Sequence, residues 1–312
     1  MTIDATSTPR EILVVAHAHR EETVAAARRV IVALGAAGAR PVLPEEDDLL
    51  RAELGDVGPL ATLGVDVPVA QIEIAIVLGG DGTILRAAEL VRDGTAPILG
   101  INMGHVGFLA EIEADVIDDA MRRVIDSDYE VEERLALAVE VKDASGAVIY
   151  ETWALNEATV EKAARERMME VVMEIDRRPL SSFGCDGVVI STPTGSTAYN
   201  FSAGGPVIWP TVEAIAVVPL SAHALFARPL VVGPEATVAI EVLARTDGTG
   251  ILWCDGRRSH DLPPGARVVA RRSSRPVRLA RLHPAVFTDR LVRKFQLPVT
   301  GWRGPSAGPD AA

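Results

Sequence analysis

Apolar positions in the first third of the chain follow two rhythms that alternate. Glu11-Ile12-Leu13-Val14-Val15-Ala16 is a short, nearly continuous apolar run, and Glu21 to Leu34 carries apolar residues at helical spacing up to Gly35. Ile74 to Leu78 and Pro97 to Asn102 again read as buried strands, whereas Ile84 to Val91 and 113–127 read as helices. Residues 36–70 are acidic and broken by Gly and Pro, which predicts a short strand with irregular connections. Strands alternating with helices imply a parallel sheet covered on both faces. From about residue 130 the pattern changes. Leu135–Val141, Ala147–Trp153, Val171–Ile175, Gly187–Ser191, Thr237–Leu243 and Val268–Ala270 predict strands, with turn signals at Ala144-Ser145-Gly146 and Thr246-Asp247-Gly248. This half is expected to be mostly β, with antiparallel sheets. Phe287 to Phe295 returns to helical spacing, and the Gly/Pro-rich residues 303–312 read as a disordered tail.

The chemistry concentrates where one strand gives way to a helix. Gly79-Gly80-Asp81-Gly82-Thr83 lies between the run ending at Leu78 and the helix starting near Ile84. Glycines there let the backbone approach a phosphate, with N–H groups and the helix N-terminus aimed at the anion. A carboxylate repels phosphate, so anion binding does not account for Asp81. Its chemistry suits holding a Mg²⁺ or taking a proton from an attacking hydroxyl. The same residues by themselves also make a tight turn, and Thr83 an ordinary N-cap. Arg86, one turn into the helix, is either a solvated side chain or a phosphate ligand. Ligands on such sheets bind at the carboxyl ends of the strands, where this loop is expected.

Composition narrows the classes. A net charge of −12 argues against a nucleic-acid partner, which needs a basic face. The apolar runs fall well short of the ~18 residues of a membrane span, and the polar start resembles no signal peptide. Cys185 and Cys254 are too few for a disulfide framework, so a reducing cytoplasm is the expected location. Lys142, Lys162 and Lys294 are the only lysines, and none stands in a GxxxxGK[ST] context. The histidines have no partners at metal-ligand spacing, so they predict no metal centre, and the sequence by itself leaves the ligands of a metal unknown.

Two further segments carry polar groups in suggestive order. Gly100 to Leu109 is a second glycine-punctuated loop after a strand, without GxGxxG spacing. Thr192-Pro193-Thr194-Gly195-Ser196-Thr197-Ala198-Tyr199 follows a strand and presents four hydroxyls, which suit a diphosphate or a ribose, or simply bond nearby backbone as turn residues do. Asn156-Glu157 can accept from ribose hydroxyls or serve a turn.

Together these segments resemble the NAD kinase family. The resemblance rests on GGDGT at 79–83, GINMGHVGFLAE at 100–111, LNE at 155–157 and DGVVISTPTGSTAYNFSAGGP at 186–206, continued by AHALFARPLV at 222–231 and CDGR at 254–257. It runs from about residue 11 to 302, and the closing TDRLVRKFQLPVTGWRG is similar to actinobacterial members. GGDG by itself is shared with diacylglycerol and sphingosine-type lipid kinases, which stand as one alternative; a non-catalytic NADP-binding sensor is another. The resemblance implies transfer of a phosphoryl group from ATP or polyphosphate to the 2′-hydroxyl of the adenosine ribose of NAD. It further implies Mg²⁺ or another divalent cation, and a homodimer or homotetramer.

The implied fold is an α/β domain over 1–130 and a β-sandwich domain over 131–285, with 286–302 returning to the first. By position, Asp81 becomes the catalytic base, and Gly79, Gly80 and Gly82 line the dinucleotide with Arg86. Asn156 and Glu157 hold the adenine-ribose end, Asp186 and Arg167 are further ligands, and Thr197, Ala198, Tyr199, Asn200, Phe201 and Ser202 frame the dinucleotide. His223 and Arg228 are assigned to structure or subunit contacts.

Overall fold

The apolar runs of the first third become the strands of one twisted sheet in the computed structural model. The structure describes residues 9–104, 107–110, 112–113, 116–164, 168–245, 249–283 and 286–299; Arg167, the turn signal at 246–248 and the tail at 303–312 lie outside them. Two units divide the chain, 1–132 with 278–312 and 133–277.

In the first unit the order is β1 (Glu11–Ala16), α1 (Glu21–Ala36), β2 (Arg40–Leu43), α2 (Asp48–Glu53), β3 (Ala61–Thr62), β4 (Ile72–Leu78), α3 (Asp81–Leu90), β5 (Ile98–Asn102), β6 (Ile112–Glu113), α4 (Ile117–Ile125) and β7 (Glu130–Arg134). The sheet runs β3-β2-β1-β4-β5, continued by β20 (Val277–Arg281) and β7, with β6 beside β5. The pairs β2–β3, β1–β2, β1–β4, β4–β5 and β5–β20 are parallel. Every residue of β1 is buried, as a central strand covered on both faces requires. Helix α1 buries Thr23, Ala26, Ala27, Val30, Ile31 and Leu34, the i, i+3, i+4 stripe that its sequence carries. Each large aliphatic side chain so buried contributes about 1.5–3 kcal/mol.

The second unit holds β8 (Leu137–Lys142), β9 (Val148–Ala154), β10 (Glu157–Lys162), β11 (Met169–Ile175), β12 (Arg178–Cys185), β13 (Gly187–Ser191), α5 (Tyr199–Ser202), β14 (Ile215–Leu220), β15 (Leu230–Val232), β16 (Val238–Val242), β17 (Gly250–Cys254), β18 (Arg258–Leu262) and β19 (Arg267–Arg272). One six-stranded sheet runs β15-β14-β13-β10-β17-β18 and the other β12-β11-β16-β19-β8-β9. Alternate residues of both sheets, among them Val160, Val188 and Ile190 from one and Val139, Val171 and Val268 from the other, form a single core. After β20 the chain ends its described part with α6 (Phe287–Phe295).

An α/β half with a mostly parallel sheet and a mostly antiparallel β half are thus both present. The sequence reading leaves out the strands β3, β7, β10, β14, β15, β17 and β20, and the remaining differences are local. The helix expected over 113–127 spans only Ile117–Ile125, because Ile112 and Glu113 pair with Ile101 and Asn102 as β6. Helix α3 starts at Asp81 rather than Ile84, since N–H groups from Thr83 onward already bond back to Gly80. β12 and β18 escape the sequence reading because edge strands are polar on their open side and carry no apolar run.

Candidate functional site

Strand order in the first unit turns outward from β1: the chain goes to β2 and β3 on one side, then to β4 and β5 on the other. The ends of β1 and β4 therefore form a switch point, the crevice where open α/β sheets take ligands. A cavity of ≈ 130 Å³ opens there, lined by His17, Arg20, Thr23, Gly80, Thr83 and Asn102 among others. The N-caps of α1 and α3, Arg20 and Gly80, make no side-chain cap hydrogen bond, so both helix starts present N–H groups suited to an anion. Of these residues the sequence reading singles out only the glycine loop. It considers His17 solely as a metal ligand and misses Arg20, Thr23 and Asn102. The signal available is the HAHR segment directly after the first strand.

Asp81 opens α3, half-buried, and its carboxylate accepts two backbone hydrogen bonds. Oδ2 takes the N–H of Phe108 and Oδ1 that of Leu109, both at 3.0 Å. Gly107 makes this clasp feasible, because a Cβ there would lie 2.3 Å from Asp81 Oδ1. Gly79 is equally constrained, since its Cβ would meet Thr83 Oγ1 at 2.4 Å. The second glycine-punctuated loop thus serves to orient the acid of the first. Each carboxylate oxygen still has a lone pair for a proton or a cation. Gly82 is exposed, and Arg86 forks onto Asp47 at 2.7 and 3.2 Å, so its guanidinium already has a protein partner.

In the second unit Asn156 and Glu157 enter β10, between β13 and β17. Asp255 fixes their backbone: Oδ2 accepts from Leu155 N–H at 3.0 Å and Oδ1 from Asn156 N–H at 2.7 Å, while its own N–H donates to Glu157 O at 3.0 Å. Arg258 completes the knot with 2.7 Å bonds to Asp255 and to Trp153 O, its guanidinium lying 4.5 Å from the Trp153 ring centroid. Asp255 takes a left-handed φ of 55° to do this. Burial pushes both the Asp255 and Glu157 carboxyls up; N–H donors and Arg258 oppose the rise at Asp255, whereas Glu157, with Asp255 beside it, rises to about 8. The CDGR segment enters the sequence reading through resemblance alone, which gives no sign of its part in holding Asn156 and Glu157.

The four hydroxyls of the 192–197 segment do not all face a ligand. Thr192 and Ser196 are fully buried; Thr192 Oγ1 donates to Leu155 O, and Ser196 Oγ donates to Pro193 O and accepts from Ile208 N–H. They bond backbone, the turn role open to them beside the ligand role. Thr197 is half-buried and donates to Thr194 O at 3.4 Å. Asn200 is also fully buried, its amide donating to Ser196 O and Pro206 O. Tyr199, Phe201 and Ser202 are exposed and Ala198 half-buried. Asp186 pairs with Lys162 at 2.5 Å, which with the Ser221 hydroxyl holds its carboxyl below the usual range. Among the described residues no group of three or more His, Cys, Asp or Glu is placed to hold a metal ion.

Family models agree with this layout. Residues 63–129 match the ATP-NAD kinase N-terminal domain and 155–282 the ATP-NAD kinase C-terminal domain. The chain is 64% identical to an NAD kinase of Leifsonia xyli over 95% of this chain and 97% of that one. It is 55% identical to an NAD kinase of Thermobifida fusca over 98% and 95%. Its fold is similar to a yeast NADH kinase crystallised with NADH (TM-score 0.82, 21% identity, 93% and 88% covered). It is also similar to an Archaeoglobus fulgidus NAD kinase crystallised with ATP (TM-score 0.67, 23% identity, 93% and 99% covered).

Proposed function

The chain belongs to the NAD kinase family, and from that premise we propose that Asp81 is the base of a phosphoryl transfer from ATP to the 2′-hydroxyl of NAD's adenosine ribose. The protein is a kinase that acts on NAD, and the lipid-kinase alternative has no support. The observation that carries the assignment of the base is the double N–H clasp on the Asp81 carboxylate at the start of α3. A ribose hydroxyl is a weak nucleophile, and a positioned base is worth about 10²–10⁴-fold. The clasp fixes the plane of the carboxylate and leaves a lone pair on each oxygen for the ribose proton. The donor's phosphates suit the uncapped starts of α1 and α3, with the Arg20 guanidinium among the groups lining that cavity.

A magnesium ion fits this donor set in the manner usual for phosphoryl transfer, held by phosphate oxygens, waters and one or two carboxylates rather than an all-protein cage. Asp81 is the carboxylate at hand, and the ion when bound neutralises charge on the transferring group. Asn156, Glu157 and Tyr199 are proposed to hold the dinucleotide, on the backbone frame set by Asp255 and Thr192. Asp186, paired with Lys162, keeps its proposed contact only if the ligand shares or displaces that lysine. Polyphosphate remains an alternative donor for the same anion-binding helix starts.

Residence in the cytoplasm is supported by two free, buried thiols, and no helix among the described residues is long and apolar enough to cross a membrane. Assembly as a homodimer or homotetramer is supported by apolar side chains left in solvent: Leu225 is 112% and Phe226 53% exposed. Purified protein given NAD and ATP with magnesium is expected to form NADP, read by an NADP-specific dehydrogenase. Absence of NADP with any divalent cation would refute the proposal.

A further inference from the structure

The last helix of the chain reaches the backbone that orients Asp81. Helix α6 and the second glycine-punctuated loop belong to the same unit. Phe287, Arg290, Leu291 and Phe295 recur at i, i+3, i+4 and i+8, so they share one face of α6. None of the helix's residues is fully buried, whereas Phe108 in the loop is only 8% exposed. The Phe108 ring meets those of Phe287 and Phe295 at centroid separations of 5.9 and 5.8 Å, tilted by 43° in both pairs. Such separations are the ones aromatic pairs favour. The α-carbons of the two helix residues are about 12 Å apart along the axis, so their rings converge on Phe108 from two turns apart.

Arg290 adds a bond of a different kind. Its Nη1 donates to the Phe108 carbonyl at 2.5 Å. That carbonyl and the Leu109 N–H belong to one peptide unit, and the N–H is the donor to Asp81 Oδ1 at 3.0 Å. The peptide is held at both ends, with a guanidinium on its oxygen and a carboxylate on its nitrogen. Being planar, it cannot rotate without breaking one of the two bonds. A cation on the carbonyl also makes the N–H at the far end a stronger donor, because hydrogen bonds in a chain polarise one another. From β20, Arg281 Nη1 reaches the next carbonyl, Leu109 O, at a longer 3.4 Å, while its Nε bonds Glu132 at 2.6 Å. Ring packing alone would cover Phe108 and leave the plane of this peptide unfixed.

We propose that Arg290 is a positioning residue for the phosphoryl transfer. Acting through the Phe108–Leu109 peptide, and with Phe287 and Phe295 seating the Phe108 ring, it sets the orientation of the Asp81 carboxylate. The proposal rests on the reading of Asp81 as the base and adds to it the element that aims the base. Arg290 acts on the base and not on a substrate, so its removal slows proton transfer without loosening substrate binding.

The test is steady-state kinetics of the full-length protein with NAD, ATP and magnesium, in a double-mutant cycle of Arg290→Ala and Asp81→Asn. Arg290→Ala is expected to lower kcat about 10–10²-fold with KM for NAD within about twofold of wild type, since misplacing a reacting group is costly even when binding is intact. In the Asp81→Asn background the same change is expected to move kcat by less than about twofold, because no base remains to be aimed. Arg293→Ala removes a charge from an exposed position of the same helix and is expected to leave kcat at the wild-type value. Phe295→Leu keeps an apolar side chain without the ring; it is expected to lower kcat severalfold, and it carries the test should circular dichroism show Arg290→Ala unfolded. Unchanged kcat, a loss carried by KM, a loss that multiplies in full with that of Asp81→Asn, or an equal loss in Arg293→Ala would overturn the proposal. If Asp81→Asn loses turnover and Arg290→Ala does not, the base assignment stands and only the proposal falls. Near wild-type turnover in Asp81→Asn removes the base, and the proposal with it.

Discussion

Two carboxyls of the candidate site, half-buried Asp81 and buried Asp255, are held by backbone N–H groups. Asp81 takes two such bonds, and Asp255 takes two more together with Arg258. Asp255→Asn replaces one acceptor oxygen by an amide that confronts a backbone N–H, and strips Arg258 of its anion. Thermal or urea unfolding is expected to show a loss of roughly 2 kcal/mol, and a variant as stable as wild type would contradict this. Glu157 provides a pH dependence whose sign is fixed. Its carboxyl lies at about 8 in the folded protein against an ordinary 4.5, so the folded state keeps a proton that the unfolded chain releases. That contribution is complete below 4.5 and is lost as pH rises to about 8. Urea midpoints should fall across that window in wild type and fall less in Glu157→Gln.

Loops are legible in the sequence where glycine and chemistry coincide, and less so where glycine serves a neighbouring element. GGDGT announces itself because it sits between an apolar run and a helical pattern. Gly107 does not, since its purpose is to leave room for Asp81, 26 positions earlier in the chain. Strands of the second half with strong alternation can be read within a residue or two, as at Leu137–Lys142, where buried and half-buried positions alternate. They escape notice in β10, whose Glu157-Ala158-Thr159 start reads as a polar turn until Asp255 pins it. Hydroxyls in 192–197 look alike on paper, and only the fold separates the fully buried Thr192 and Ser196 from the half-buried Thr197. Gly195 marks the tightest approach to backbone among the described glycines, since a Cβ would lie 2.1 Å from Asn156 O, an atom that cannot swing aside. Gly195→Ala is expected to cost about 1–3 kcal/mol of stability through overpacking. It should also raise the KM for NAD by displacing Asn156; an unchanged KM would show that this loop does not set the dinucleotide's seat.

At the scale of the whole molecule, exposed Leu225 and Phe226 lie in the 222–231 segment just before the edge strand β15. Sedimentation of wild type is expected to give a dimer or tetramer, and Leu225→Glu with Phe226→Glu to shift it towards monomer. A wild-type monomer would remove that surface from the account. The proposed catalysis depends on one acid, so its most direct test is Asp81→Asn compared with wild type. The two proteins should be titrated with NAD for affinity and assayed with ATP and magnesium for NADP, with circular dichroism confirming the fold. The account predicts turnover lower by about 10²–10⁴-fold with NAD affinity within a few-fold of wild type. NADP formation at near wild-type turnover in the Asn variant would contradict it.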